Sequence, residues 1–498
     1  MSSVTLKKKF LYSLSFVEGG VVMSTELVGA KILAPYFGTS LYVWACVMAL
    51  TLGGLACGYF FGGRLSVKKN HEKILMASVL CAAIYICCLP MLTSLLIYLA
   101  SNFSLIPAVL VSSSVVLFPP VFIMGMVSPL IIKSITTTHE EAGKKSGEIY
   151  AISTLGGICF TFLTAFYAIP QWGLTITLLV NASLLAIFSI FYFSKRKTFF
   201  PTLFFLASIF FSFKTIQKNP STIYLEEGLL GKLEVEDRIY KTDTSNETVR
   251  YLLINNIIQS CVDVKTNQSK LPYSNVLAKN LLLVNPNAKT ALVLGLGGGI
   301  LSNMLTEKNI QVTAVELDSR VIEVAKKYFN TSNKIHIIKD DARHALYQLK
   351  TKYDVIVIDL FAGEVTPSHV LSKECFLKIK SLLSPDGFLF INTYGYITGK
   401  AGQGNQILLN TLKQAGFTST ICYSGDAEHE DYRNLLLFAS TKQQINLYAT
   451  LPENKIPGFE TTSITTDDKP IIEFANATAV KRWRFSYLKN FILHKTEQ

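Results

Sequence analysis

Residues 291–305 read ALVLGLGGGILSNML. A short apolar run enters three alternating glycines, Gly295, Gly297 and Gly299, and a second apolar series begins at Ile300. A buried strand, a tight turn and a helix fit this pattern. Glycine takes the backbone angles such a turn needs and lets a ligand approach the chain, while the helix start points N–H groups the same way. A GxGxG turn alone is weak evidence, so its surroundings decide.

Working outward, strands are expected at 291–295, 311–316, 334–339, 353–359, 387–392, 418–424 and 434–440. Helical patterns fit at 300–307, 319–328, 342–350, 370–383 and 403–415. Alternating β and α segments predict a mostly parallel, Rossmann-like (class I methyltransferase-like) α/β domain over 266–445, whose ligands bind beyond the carboxyl ends of the strands. Upstream, residues 222–265 contain alternating stretches (KLEVEDRIYKT, then VRYLLINNIIQS) that predict a small antiparallel hairpin or sheet.

Acids stand at the strand ends. QVTAVELD places Glu316 seventeen residues after Gly299, where a carboxylate accepts ribose hydroxyls. IIKDDARHAL places Asp341 before Ala342, suited to the exocyclic amine and edge of an adenine. YDVIVIDLFAGE ends its strand on Asp359, with Ala362 and Glu364 following. Each acid alone is equally well read as a helix N-cap. Together with the glycine turn they point to an adenosine-containing ligand. No Lys-Ser/Thr follows the turn, and an acid-rich pocket repels a pyrophosphate, so a cationic sulfonium nucleoside fits better: S-adenosylmethionine or its decarboxylated form.

The first two-fifths of the 498-residue chain is different. Half of all residues are hydrophobic and only 16% charged, and the apolar blocks cluster here. Seven candidate spans are read at 10–33, 41–63, 74–100, 105–132, 149–169, 173–194 and 199–213, so 1–215 is expected to be a multi-span membrane domain. The last is short and holds Pro201, and either crosses or lies re-entrant in the interface. Gly54, Gly58 and Gly62 form a stripe for close helix contact, and Pro119 and Pro120 predict a kink. Glu18 and Glu26 have two readings: a polar route, or an interfacial Glu18 with Glu26 paired to a cation such as Lys31.

The net charge of +12 sits largely at block ends (Lys7–Lys9, Arg64–Lys73, Lys144–Lys145, Lys195–Lys197). That favours an anionic membrane face over nucleic acid and puts the N-terminus in the cytoplasm. The nine cysteines show neither a disulfide framework nor metal spacing, and no metal is expected. The 446–498 extension ends in KRWRFSYLKNFILHK, which either rests on a bilayer or caps the soluble part.

The chain resembles the spermidine synthase (polyamine aminopropyltransferase) family, specifically its membrane-fused, seven-span version. The resemblance is carried by LLINNIIQS, LPYSNVLAKN, VLGLGGG, VELD, KDDA, YDVIVIDLF and HVLSKECF. In the apolar half ELVGAKILAPYFGTSLYVW and GYFFGGRL carry it, with the late TTDDKP. It implies transfer of an aminopropyl group from decarboxylated S-adenosylmethionine to a diamine such as putrescine. Glu316 becomes the ribose acid, Asp341 and Ala342 the adenine edge, and Asp359 the proton acceptor. Gln259 and Tyr273 line the amine channel. The partners expected are a membrane and a small amine, with a homodimer left open. A crossing 199–213 would put the catalytic half outside the cell, whereas the cytosolic donor favours the cytoplasmic side.

Four positions depart from the family pattern. The glycine turn lacks the acid that grips the donor's ammonium, and Ala362 stands where a second aspartate is usual, with Glu364 as a candidate substitute. Gly231 and Ser274 replace a glutamine and a histidine. Two other readings therefore stand beside aminopropyl transfer: an S-adenosylmethionine-dependent methyltransferase with a membrane-associated acceptor, and a non-catalytic polyamine or nucleoside sensor.

Overall fold

The computed structural model describes residues 8–37, 41–100, 105–138, 140–215, 220–241, 246–361, 367–396, 399–423, 433–441 and 461–487. The chain divides into two compact units, Met1–Asn219 with Glu226–Gly231, and Pro220–Leu225 with Lys232–Gln498.

The first unit is helical: α1 (Lys8–Phe37), α2 (Leu41–Ser66), α3 (His71–Ala100), α4 (Leu105–Val116), α5 (Phe118–Gly125), α6 (Val127–Ile135), α7 (Ala142–Leu163), α8 (Ile169–Lys195) and α9 (Phe200–Thr215). Among the described residues four stretches are long and apolar enough to cross a membrane: Val43–Ser66, His71–Leu92, Phe118–Ile135 and Ala142–Lys195. This corrects the expected seven. Glu18, Glu26 and Lys31 interrupt the apolar run of α1. The expected span 105–132 divides into α4, α5 and α6, with Pro119 and Pro120 in the first turn of α5, where a missing N–H costs nothing. The apolar parts of α4 and α9 are short. The expected spans 149–169 and 173–194 run together through a π-turn at Thr164–Ala168, and the chain bends at Gly173, φ 76°.

The glycine stripe of α2 works as expected. A Cβ on Gly58 would lie 2.4 Å from the Phe122 carbonyl oxygen, and one on Gly62 2.7 Å from the Met126 Cα, so only glycine permits this approach. The pairing of Glu26 with Lys31 is not found: neither Glu18 nor Glu26 forms an ion pair among the described residues.

Two sheets follow the helices. The small one has the order β1 (Thr222–Gly228), β2 (Gly231–Lys241), β3 (Asn246–Ile254), β4 (Ile257–Asp263), with antiparallel β2–β3 and β3–β4 ladders. Helix α10 (Pro272–Val284), not expected from the sequence, follows it. Next come β5 (Thr290–Leu294), α11 (Ile300–Glu307), β6 (Gln311–Glu316), α12 (Ser319–Tyr328), β7 (His336–Lys339), α13 (Ala342–Gln348), β8 (Tyr353–Ile358), α14 (Lys373–Leu382), β9 (Leu383–Gly395), α15 (Gln403–Gln414), β10 (Thr418–Tyr423), β11 (Arg433–Ser440) and α16 (Ile472–Tyr487).

The seven-stranded sheet has the order β10-β11-β9-β8-β5-β6-β7. The run from β9 to β7 is parallel, and β11 enters antiparallel between β9 and β10, so the sheet is mixed. β5 and β8 are the central pair, and Ala291–Leu294 and Val355–Ile358 are almost fully buried. Strands covered on both faces read as continuous apolar runs, which is why they are the clearest in the sequence. The order reverses between β5 and β8, and a ligand crevice is expected at such a point. The first part of the basic aromatic tail lies in α16, whose Ala475 and Ala479 are buried.

Candidate active site

Leaving β5, the chain turns through Gly295, Gly297 and Gly299, all at positive φ (98°, 53° and 72°). At Gly295 the requirement is absolute, because a Cβ there would lie 2.1 Å from the carbonyl oxygen of Asp359. The Asp359 N–H in turn donates to the Leu294 carbonyl at 2.9 Å. The tips of the two central strands are thus locked together, with the turn on one and Asp359 on the other. Ser260 on β4 fixes the far side of the turn: its Oγ accepts from the Gly298 N–H at 2.8 Å. Helix α11 starts after Gly299 with no side-chain cap, which suits a helix start that faces a ligand.

Glu316 closes on the same turn. Its Oε2 accepts from the Leu296 N–H at 3.1 Å and its Oε1 from the Asp318 N–H at 3.0 Å. Withdrawal from solvent raises its pKa, offset in part by the N–H groups of Asp318, Leu296 and Gly297. A carboxylate offers about four acceptor positions, so room remains for a further donor such as a hydroxyl.

Asp359 is half-buried and held from two directions. Tyr273, at the start of α10, donates its phenol to Oδ2 at 3.1 Å, and Asn392 on β9 donates Nδ2 to Oδ1 at 2.8 Å. Asn392 is itself fixed by Asn434 of β11, whose Nδ2 donates to Asn392 Oδ1 at 2.9 Å. Desolvation raises the Asp359 pKa, and the two donors pull it back only in part. Burial, with Asp359 nearby, raises the Tyr273 phenol well above its usual range and pushes Tyr394 up to about 12. Both tyrosines therefore stay neutral around a carboxylate whose proton affinity is above normal.

The other expected residues divide. Asp341 accepts from the N–H groups of Arg343 (2.9 Å) and His344 (3.0 Å), which makes it the N-cap of α13. Its second oxygen lies 3.4 Å from His369 Nε2. Ala342 is buried as the first residue of that helix. Gln259 donates to its neighbour's carbonyl, Ile257, at 3.3 Å, and makes no hydrogen bond with Asp359. Ser274 donates to the Leu271 carbonyl in its own loop. Ala362 and Glu364 lie outside the described residues. No direct contact joins the three acids.

Three residues escaped the sequence reading. Asn392 was signalled by a lone amide inside the apolar strand GFLFINTYG, and Ser260 by its place after Gln259. Arg343 had no signal: it makes a two-pronged pair with Asp467 of TTDDKP and donates to the His369 carbonyl at 2.7 Å. Asp467 N–H donates to Glu374 at 3.0 Å, so this late motif fastens the start of α13 to α14.

Residues 270–417 match the spermine/spermidine synthase domain family. A polyamine aminopropyltransferase of Vibrio vulnificus is 34% identical over 146 residues, 28% of this chain and 48% of that protein. Polyamine aminopropyltransferase 2 of Aquifex aeolicus is 25% identical over 436 residues, 84% of each chain. The crystal structure of a probable spermidine synthase from Corynebacterium glutamicum is 20% identical, with a TM-score of 0.39, covering 46% of this chain and 82% of that one. The matches thus span about half the length of the Vibrio relative and most of the Aquifex one. Residues 270–417 are thus similar to the spermidine synthase/polyamine aminopropyltransferase family, and a helical region precedes them.

Proposed function

We propose that the α/β unit transfers an aminopropyl group from decarboxylated S-adenosylmethionine to a diamine such as putrescine, with Asp359 as proton acceptor. The observation that carries this reading is the setting of Asp359: a half-buried carboxylate at a central strand tip, oriented by Tyr273 and Asn392 and locked to the glycine turn. Alkylamines are mostly protonated at neutral pH. A carboxylate of raised proton affinity is suited to accept that proton as the nitrogen attacks. The C–N bond forms at the carbon beside the sulfonium, the C–S bond breaks, and methylthioadenosine leaves. Glu316 and the uncapped start of α11 would hold the nucleoside, and Asp341 with Ala342 would edge the adenine. Glu364 and Gln259 would meet the amine's far end.

The four apolar stretches would anchor the chain in the cell membrane, with the N-terminus and the α/β unit on the cytoplasmic side. The acid-free glycine turn is the one feature favouring a different donor, S-adenosylmethionine itself. Incubating the full chain in lipid nanodiscs with each donor and putrescine, and analysing products by mass spectrometry, separates the readings. Spermidine and methylthioadenosine are expected from the decarboxylated donor. Methyl transfer from S-adenosylmethionine alone would refute the proposal, and no turnover with either donor would leave a sensor.

A further inference from the structure

The helical unit carries a half-open cavity of about 350 Å³ between α1, α2 and α7. Glu18 is on its wall and is 2% exposed. Its Oε2 accepts one long hydrogen bond, from Ser153 Oγ at 3.4 Å, and its Oε1 has no partner among the described residues. Glycines bring α1 and α7 into backbone contact on either side of it. A Cβ on Gly19 would lie 2.1 Å from the Ser153 carbonyl oxygen, and one on Gly156 would lie 1.9 Å from that of Phe16. A buried carboxylate in an apolar helical region demands a positive partner or a proton, and no cation pairs with it among the described residues.

The lining indicates the partner. Beside Glu18 stand the Ser153 hydroxyl and the Tyr59 ring, which is set edge-on to Tyr150 with centroids 6.1 Å apart. The rest is largely apolar, including Val22, Leu55 and Phe162. A metal ion would need several more oxygens and would leave the apolar part empty. A proton needs no cavity of this size. A cationic head on a hydrocarbon chain satisfies both parts, with the aromatic face adding to the attraction.

We infer that this cavity binds an alkylammonium ion, its ammonium on Glu18 and its methylene chain along Val22, Leu55 and Phe162. The site is separate from the reaction proposed for the α/β unit and does not depend on it. Equilibrium dialysis of radiolabelled 1,4-diaminobutane against the full chain in lipid nanodiscs tests it. One equivalent should be lost in Glu18→Gln, its affinity falling at least about tenfold, and retained in Asp359→Asn. Met23→Trp, which fills the cavity while leaving Glu18 in place, should lose the same equivalent. Identical isotherms for wild type and Glu18→Gln would overturn the inference. Failure of the transfer reaction would leave this equivalent intact, and failure of this site would leave turnover intact.

Discussion

Asp341 and Asp359 occupy similar places in the sequence, each an acid at the end of an apolar strand, yet the fold uses them differently. Asp341 bonds to the two N–H groups that open its own helix, two and three residues away. Asp359 bonds to Tyr273 and Asn392, 86 and 33 residues away, on separate elements. A local cap requires only a helix start. Bringing two distant donors onto one carboxylate orders three elements around it, an arrangement with no local structural need. The comparison therefore separates an acid explained by its own helix from one that the fold has positioned.

The largest expected effect follows from that contrast. Asp359→Asn should lower kcat by roughly 10²–10⁴-fold, the range for removing a general base, with methylthioadenosine affinity from calorimetry nearly unchanged. Unaltered kcat would put Asp359 on the same footing as Asp341. Next, Gly295→Ala forces a Cβ against the Asp359 carbonyl at a left-handed position. It should destabilise the α/β unit by roughly 3 kcal/mol in a denaturant titration, and a wild-type midpoint would mean the two strand tips are not locked. Tyr273→Phe removes one of the two donors and should cost about tenfold in kcat, the order of one hydrogen bond to a charged group. Asp341→Ala should cost about 1 kcal/mol as a lost cap, with Asp341→Asn nearly neutral; an effect of Asp341→Asn on donor KM would show a ligand role beyond the cap.

The smallest effect concerns stability and pH. Asp359 and Glu316 both have folded-state pKa values raised above their ordinary ones. The folded chain therefore holds their protons more tightly than the unfolded chain. This contribution is fully present below the unfolded pKa and is lost as pH rises through the folded one. Glu316→Gln should accordingly be less harmful to the melting temperature at pH 7 than at pH 4. The opposite trend would contradict the burial assigned to Glu316.

Which parts were legible follows from the same physics. Helices α11 and α12 and strand β6 lie where the patterns placed them, because buried parallel strands and amphipathic helices leave local signatures. Helix α10 did not, because its sequence PYSNVLAKNLLLV mixes a polar start with a short apolar end. The span count failed where Glu18 and Glu26 interrupt α1 and where prolines divide the fourth block, since block length alone does not show where a helix breaks. In the site, acid and glycine positions were readable one strand at a time. Asn392, Asn434 and the Arg343–Asp467 pair were not, because their meaning lies in contacts 33 to 124 residues apart.

The most direct test of the role given to Asp359 is the pH dependence of kcat/KM for wild type and Tyr273→Phe side by side. The Tyr273 hydrogen bond lowers the Asp359 pKa, so its removal should move the acid limb to higher pH, from a wild-type limb already above the usual aspartate range. Superimposable limbs in the two proteins would contradict the assignment of Asp359 as the group that takes the proton.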